Sequence, residues 1–167
     1  DRYGVENTEP MFRENIKRAE VDDIVVLLVM KSEDAAKGWT EPVSLLWIDG
    51  AHDYESVRKD YLLWEQYLKD GGIVAFHDAL CLGYPGIRKV IREHIFRSKK
   101  FAEIGIVRES RGGTLYTRKR GSVSLLSNWL KMVKLLEWHL SIRPFGYYIM
   151  VALLTKTRLI APTKMIK

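Results

Sequence analysis

The chain has 167 residues, 47% hydrophobic and 29% charged, with five Trp and a single cysteine. That is ordinary for one globular domain with a real core; one cysteine excludes an internal disulfide and any CxxC metal motif, and fits a reducing compartment. The net charge of +6 is unevenly placed: residues 1–117 hold 17 Lys/Arg against 20 Asp/Glu, and residues 118–167 hold 10 Lys/Arg against Glu137 alone. No run reaches the ~18 uninterrupted apolar residues of a membrane span. The charged start, Asp-Arg-Tyr-Gly, shows no signal peptide and no initiator Met, so a piece of a longer chain is expected.

Taken in order, Thr8-Glu9-Pro10 reads as a capped helix start, followed by an apolar face at Met11, Phe12, Ile16 and Ala19. Residues 24–29, Ile-Val-Val-Leu-Leu-Val, form a β-branched apolar run and predict a buried strand. Ser32 is expected to cap a short helix through about Trp39. A second strand is predicted over 43–48. A helix over 53–69 would place Val57, Tyr61, Trp64 and Leu68 on one face. Asp70-Gly71-Gly72 would end it and turn into a strand over 72–77. A helix is predicted over 86–97, from Ile87, Val90, Ile91 and Ile95. A hairpin is predicted from 103–107 and 113–118. Residues 122–140 carry a wide apolar stripe, Pro144-Phe145-Gly146 interrupts it, and an apolar stretch over 147–154 precedes a basic tail.

The two short apolar runs at 43–48 and 72–76 each end in ionisable side chains. The first delivers Asp49, His52 and Asp53, and the second His77 and Asp78. A strand–helix–strand unit makes the strands parallel, so both carboxyl ends open on one edge, where open α/β sheets bind ligands. Carboxylate and imidazole from neighbouring strand ends can converge on one divalent cation, Mg²⁺ or Mn²⁺, with the imidazole favouring Mn²⁺ or Fe²⁺. An unperturbed imidazole titrates near neutrality, so a histidine placed like His52 can accept a proton from a hydroxyl. Plainer readings stand beside these: Asp49 as a turn or strand-end aspartate, His77 as a structural histidine, His52 as an exposed loop histidine. Asp53 and Asp60 read as helix N-terminal and surface acids, and His94 and His139 as structural. Cys81 has no neighbouring base in sequence and is not nominated as a nucleophile.

The segments Leu46-Trp47-Ile48-Asp49-Gly50-Ala51-His52-Asp53-Tyr54 and Asp70-Gly71-Gly72-Ile73-Val74-Ala75-Phe76-His77-Asp78 resemble the class I S-adenosylmethionine-dependent methyltransferases. The closest branch is the group related to macrocin-type and cephalosporin-pathway O-methyltransferases. Phe12-Arg13-Glu14-Asn15-Ile16-Lys17-Arg18-Ala19 resembles the helix before that family's third strand, and Ser32 its adenine-side serine. The resemblance covers about residues 8–118. It implies an α/β fold: a partial Rossmann-like sheet, mostly parallel with a C-terminal antiparallel hairpin, flanked by helices. The expected division is a partial methyltransferase domain over 1–120 and a basic helical extension over 121–167. It implies S-adenosylmethionine as cofactor, met by Ser32, Asp49, Gly50 and His52. It implies a divalent metal, Mg or Mn, on Asp49, His77 and Asp78, with His52 as general base. The acceptor would be a hydroxyl of a sugar or secondary metabolite.

Two departures matter. The family's cofactor fingerprint, a strand and Gly-rich turn followed by a second strand ending in an acid, is absent: residues 1–23 contain only Gly4. Lys31 stands where the family usually has Asp before the serine. In the family's sheet order the missing strands lie between 24–29 and 43–48, so these two would either pair directly or leave open edges. Weak cofactor binding by this chain alone is expected. The competing readings are a truncated, non-catalytic binding or assembly module and, last, a metal-dependent hydrolase. The expected location is cytoplasmic, with peripheral membrane contact through 122–160, a dimer contact or packing on the domain as alternatives for the basic segment. Its scattered basic residues do not favour nucleic acid.

Overall fold

The computed structural model describes residues 7–108, 112–121 and 124–141. Its centre is a four-stranded sheet in the order β1-β2-β4-β3, with β1 Val43–Ile48, β2 Leu68–Phe76, β3 Phe101–Val107 and β4 Thr114–Lys119. β1 and β2 run parallel, with Leu46 opposite Val74 and Ile48 opposite Phe76. β4 is antiparallel to both β2 and β3. Around the sheet lie α1 (Glu9–Arg18), α2 (Ser32–Lys37), α3 (Tyr54–Glu65), α4 (Pro85–Val90) and α5 (Leu125–Ser141). A π-helical turn, Ile91–Phe96, continues α4. This is the partial Rossmann-like sheet with its antiparallel hairpin that the sequence motifs imply.

The alternation along β1 explains which face is dry. Leu46 and Ile48 are buried against α3, whereas Leu45 and Trp47 point to the other face and are 57% and 51% exposed. The core forms on the first face, where Val57 and Tyr61 of α3 meet Val74 and Phe76 of β2 and Ile87, Val90, Ile91 and Ile95 of the 85–96 helix. α5 closes this core from the hairpin side. Its Trp138 is buried, packs on Phe96 at 5.5 Å and donates its indole N–H to the Ala79 carbonyl at 3.2 Å. Removing a ring this well packed costs about 3–5 kcal/mol. Among the described residues no helix is long and apolar enough to cross a membrane.

Four expectations need correction. The run 24–29 forms no strand: Ile24, Val26 and Val29 are 64–82% exposed. A β-branched run becomes a strand only when a neighbour answers its amides, and among the described residues β1 pairs with β2 alone. Helix α3 ends at Glu65 rather than 69. The Lys119 ammonium from β4 donates to the carbonyls of Glu65 (3.2 Å) and Leu68 (2.7 Å), and buried Leu68 already begins β2 opposite Val43. Gly71, at φ +80°, lies inside β2 next to its register shift instead of ending the helix. Ser32 is the first residue of α2, not its cap, because its hydroxyl oxygen accepts the Trp64 indole N–H at 2.7 Å. Helix α1 forms where expected, but Thr8 makes no side-chain cap bond and α1 buries no residue. The Pro144 interruption, the 147–154 stretch and the basic tail lie outside the described residues.

Candidate functional site

The parallel pairing of β1 and β2 sets their carboxyl ends side by side. The His77 amide donates to the Ile48 carbonyl at 3.0 Å, which fixes where the second polar cluster leaves the sheet. Asp78 then takes a left-handed conformation at φ 55°, which aspartate tolerates better than most residues. The next two amides, Ala79 and Leu80, donate to the carbonyls of Gly113 and Gly112. A side chain at Gly112 would collide with the Asp78 carboxylate, so glycine is required where the 112–113 backbone passes this turn. Asp53 accepts the Ser56 amide at 3.0 Å and starts α3. That hydrogen bond holds the Asp53 carboxyl below its ordinary value.

These constraints bring Asp49, His77, Asp78 and His52 into one alternating row. His77 Nδ1 lies 3.1 Å from Asp49 Oδ1 and 3.7 Å from Asp78 Oδ2. Asp78 Oδ2 lies 3.3 Å from His52 Nε2. Asp78 is the most enclosed of the four, with 15% of its side chain exposed against 45% for Asp49. The His52 ring stacks on Tyr84 at 3.9 Å, with the planes 12° apart. The Trp47 ring flanks His77 at 5.9 Å.

Two cavities meet this row at its two ends. The first, about 660 Å³, is lined by Ser32, Asp49 and Gly50 together with Met30, Asp60 and three tryptophans, Trp39, Trp47 and Trp64. It gathers three of the four residues expected to meet the cofactor. The fourth, His52, lies on the second cavity, about 520 Å³, with Tyr54, Tyr84, Gly86 and Lys89. The seam between Gly50 and His77, lined also by Ile48, Val57 and Phe76, is too narrow to admit a water molecule.

The expected metal set does not fit as placed. Asp49, His77 and Asp78 lie close together, but they face one another as imidazole–carboxylate pairs. Among the described residues no group of three or more His, Cys, Asp or Glu side chains is arranged to hold a metal ion. His94 sits against Tyr61 at 5.3 Å, with its pKa lowered first by burial and then by Arg58, as a structural histidine would be. His139 approaches the carbonyl of Leu135 one turn back in α5. Cys81 is half-buried and free of disulfide partners.

Tyr84 and Gly86 were not anticipated. A β-carbon at Gly86 would stand 2.5 Å from the His52 carbonyl oxygen and the Tyr54 nitrogen, so α4 lies directly on the 52–54 backbone. Arg88 extends from α4 to the carbonyls of Cys81 and Leu82 and fixes the loop that carries Tyr84. The signal was present in Gly83-Tyr84-Pro85-Gly86, an aromatic residue among turn formers shortly after the second cluster.

Residues 2–79 match the family model described as a methyltransferase domain. Among solved structures, the chain superposes on an O-methyltransferase from Bacillus cereus in complex with SAH at TM-score 0.54 and 18% identity, over 69% of this chain and 60% of that one. It superposes on the O-methyltransferase TomG of Streptomyces achromogenes, involved in tomaymycin synthesis and bound to SAM, at TM-score 0.53 and 15% identity, over 68% and 57%. CalS11, a TDP-rhamnose 3′-O-methyltransferase of calicheamicin biosynthesis, matches at TM-score 0.51 and 19% identity, over 70% and 54%. The chain therefore spans less than two thirds of the length of these structures. The family match covers a little under half of this chain, and at these identities the solved structures show a shared methyltransferase fold.

Proposed function

We propose that this chain is the part of an S-adenosylmethionine-dependent O-methyltransferase that activates the acceptor, a hydroxyl on a sugar or secondary metabolite. The observation that carries the reading is the row His52–Asp78–His77–Asp49 on the shared edge of β1 and β2, with a cavity at each end. Ser32, Asp49 and Gly50 on the larger cavity, walled by aromatic rings, fit a nucleoside-bearing cofactor. When bound, that cofactor supplies an electrophilic methyl on a positively charged sulfur.

The remaining work falls to the chain's own side chains. Asp78 Oδ2 stands 3.3 Å from His52 Nε2, which is buried and makes no formed hydrogen bond among the described residues; a proton on that nitrogen would face the carboxylate and leave the Nδ1 lone pair for the acceptor hydroxyl. His52 would take the hydroxyl proton at Nδ1, leaving the acceptor oxygen as the nucleophile for the methyl that the cofactor would supply. The imidazolium so formed is stabilised by Asp78, and Tyr84 keeps its ring in plane. His77, set against both Asp49 and Asp78, holds the two carboxylates apart and in register. Asp49, His77 and Asp78 stand as imidazole–carboxylate pairs, so no metal is assigned a step. Replacing His52 by Ala in the complete protein should lower turnover by about 100- to 10,000-fold while leaving cofactor affinity largely intact. Undiminished turnover would remove His52 from the mechanism.

A second reading, a non-catalytic binding or assembly module, is favoured by one observation. Among the described residues the apolar run 24–30 has no strand partner, and Leu45 and Trp47 are exposed. Measurable methyl transfer by the complete protein decides against it.

A further inference from the structure

We propose that the cavity behind His52 holds the non-reacting part of the acceptor, and that this part carries a negative charge, phosphate or carboxylate, on a ring-shaped body. The inference rests on the methyl-transfer reading above, because that reading makes His52 the residue nearest the reacting hydroxyl.

The cavity suits a flat or chair-shaped ring. Tyr84 supplies one ring face, already backed by His52 at 3.9 Å, and Tyr54 lines the cavity from the start of α3 with Lys89 over its ring. Gly86, which also lines the cavity, lets α4 lie directly on the 52–54 backbone that carries His52 and Tyr54. At about 520 Å³ the space matches a small-molecule site. Aromatic faces take the apolar side of a sugar or the plane of an arene, and both carry methylatable hydroxyls.

The charge preference comes from Lys89. Its ammonium lies 3.7 Å from the centre of the Tyr54 ring, over the face. Two acids stand nearby and both are occupied: Asp53, which also lines the cavity, accepts the Ser56 amide at 3.0 Å, and Glu93 accepts the Tyr54 hydroxyl at 2.8 Å, the chief reason its pKa is lowered, ahead of the nearby Lys89 charge. Lys89 thus rests on a ring instead of pairing with a carboxylate, and its charge is held at the rim of the cavity. Arg88 is already committed to the carbonyls of Cys81 and Leu82. An anionic substituent on the acceptor would complete Lys89 and pull the ring onto Tyr84 and Tyr54.

Binding without any methyl donor tests this apart from the chemistry. Isothermal titration of the whole chain would compare two matched pairs, TDP-rhamnose against rhamnose and 3,4-dihydroxybenzoate against catechol. The charged member of at least one pair should bind at least about tenfold more tightly than its neutral partner, and the better pair tells phosphate from carboxylate. Lys89→Glu, a surface change that spares the core, should remove that advantage, and Tyr84→Leu should weaken charged and neutral ligands alike. Met132→Ala on the exposed face of α5 should change nothing. Equal affinity for charged and neutral partners, no binding by any of the four, or full charge preference in Lys89→Glu would overturn the proposal. Those results would leave the His52 turnover test untouched, and a failed turnover test would leave the binding comparison standing.

Discussion

Gly86→Ala is the sharpest probe of how α4 positions His52. The added β-carbon would stand 2.5 Å from the His52 carbonyl oxygen and the Tyr54 nitrogen, about 0.9 Å inside ordinary contact at 3.4 Å. The obstructing atoms are backbone, held by the Asp53 cap and by β1, so no side chain can swing aside. Helix α4 must retreat by most of that overlap and take Tyr84 with it. Overpacking of this size costs about 1–3 kcal/mol. For a domain of this length each kcal/mol lowers the melting temperature by about 2–4 °C. A shift of nearly 1 Å in the support of a proton acceptor costs about 100-fold in rate. Thermal melting of the chain measures the first effect, and turnover of the complete protein at saturating acceptor measures the second. Gly38→Ala is the matched control, since a β-carbon there meets nothing within 4 Å, and it should stay within about 0.5 kcal/mol of the parent. If Gly86→Ala melts and turns over like Gly38→Ala, the contact between α4 and the 52–54 backbone does not set the site.

Two further outcomes follow from the same geometry. Equilibrium titration of this chain with S-adenosylmethionine should give weak binding or none, because Leu45, Trp47 and Met30 on the larger cavity are each more than half exposed; low-micromolar affinity would contradict this. Turnover of the complete protein should be indifferent to EDTA, since Asp49, His77 and Asp78 are engaged as pairs; a tenfold loss restored by Mg²⁺ or Mn²⁺ would reinstate the metal.

What was readable in advance divides by range of interaction. The helix start at Asp53 needs only Asp53 and Ser56, and local spacing shows it. The meeting of Asp49 with His77 needs one parallel strand pair, and the strand–helix–strand pattern implies it. The stack of His52 on Tyr84 spans 32 residues and depends on where α4 settles, which turn residues such as Pro85 and Gly86 do not announce. The end of α3 depends on Lys119, 54 residues beyond Glu65. The run 24–29 shows the opposite limit. Its β-branched residues satisfy every local criterion for a strand, yet hydrogen bonding in a sheet is a property of two chains, and the described residues offer it no second one. The row of four polar groups was legible as a convergence; that they pair with one another rather than around an ion was not, because ligand type and spacing are the same in both cases.

β1 closes one side of the sheet with no strand beyond it among the described residues. Its outer amides and carbonyls form a template with a built-in phase: any extended peptide that zips onto Val43–Ile48 must place alternate side chains beside Leu45 and Trp47 or beside Leu46 and Ile48. A slip of one residue would swap the greasy and the wet rows. Such a rim recruits correct and incorrect strands alike, so purification of this polypeptide should be governed by concentration, and a single lysine at position 45 should keep it dispersed without disturbing the residues that face α3.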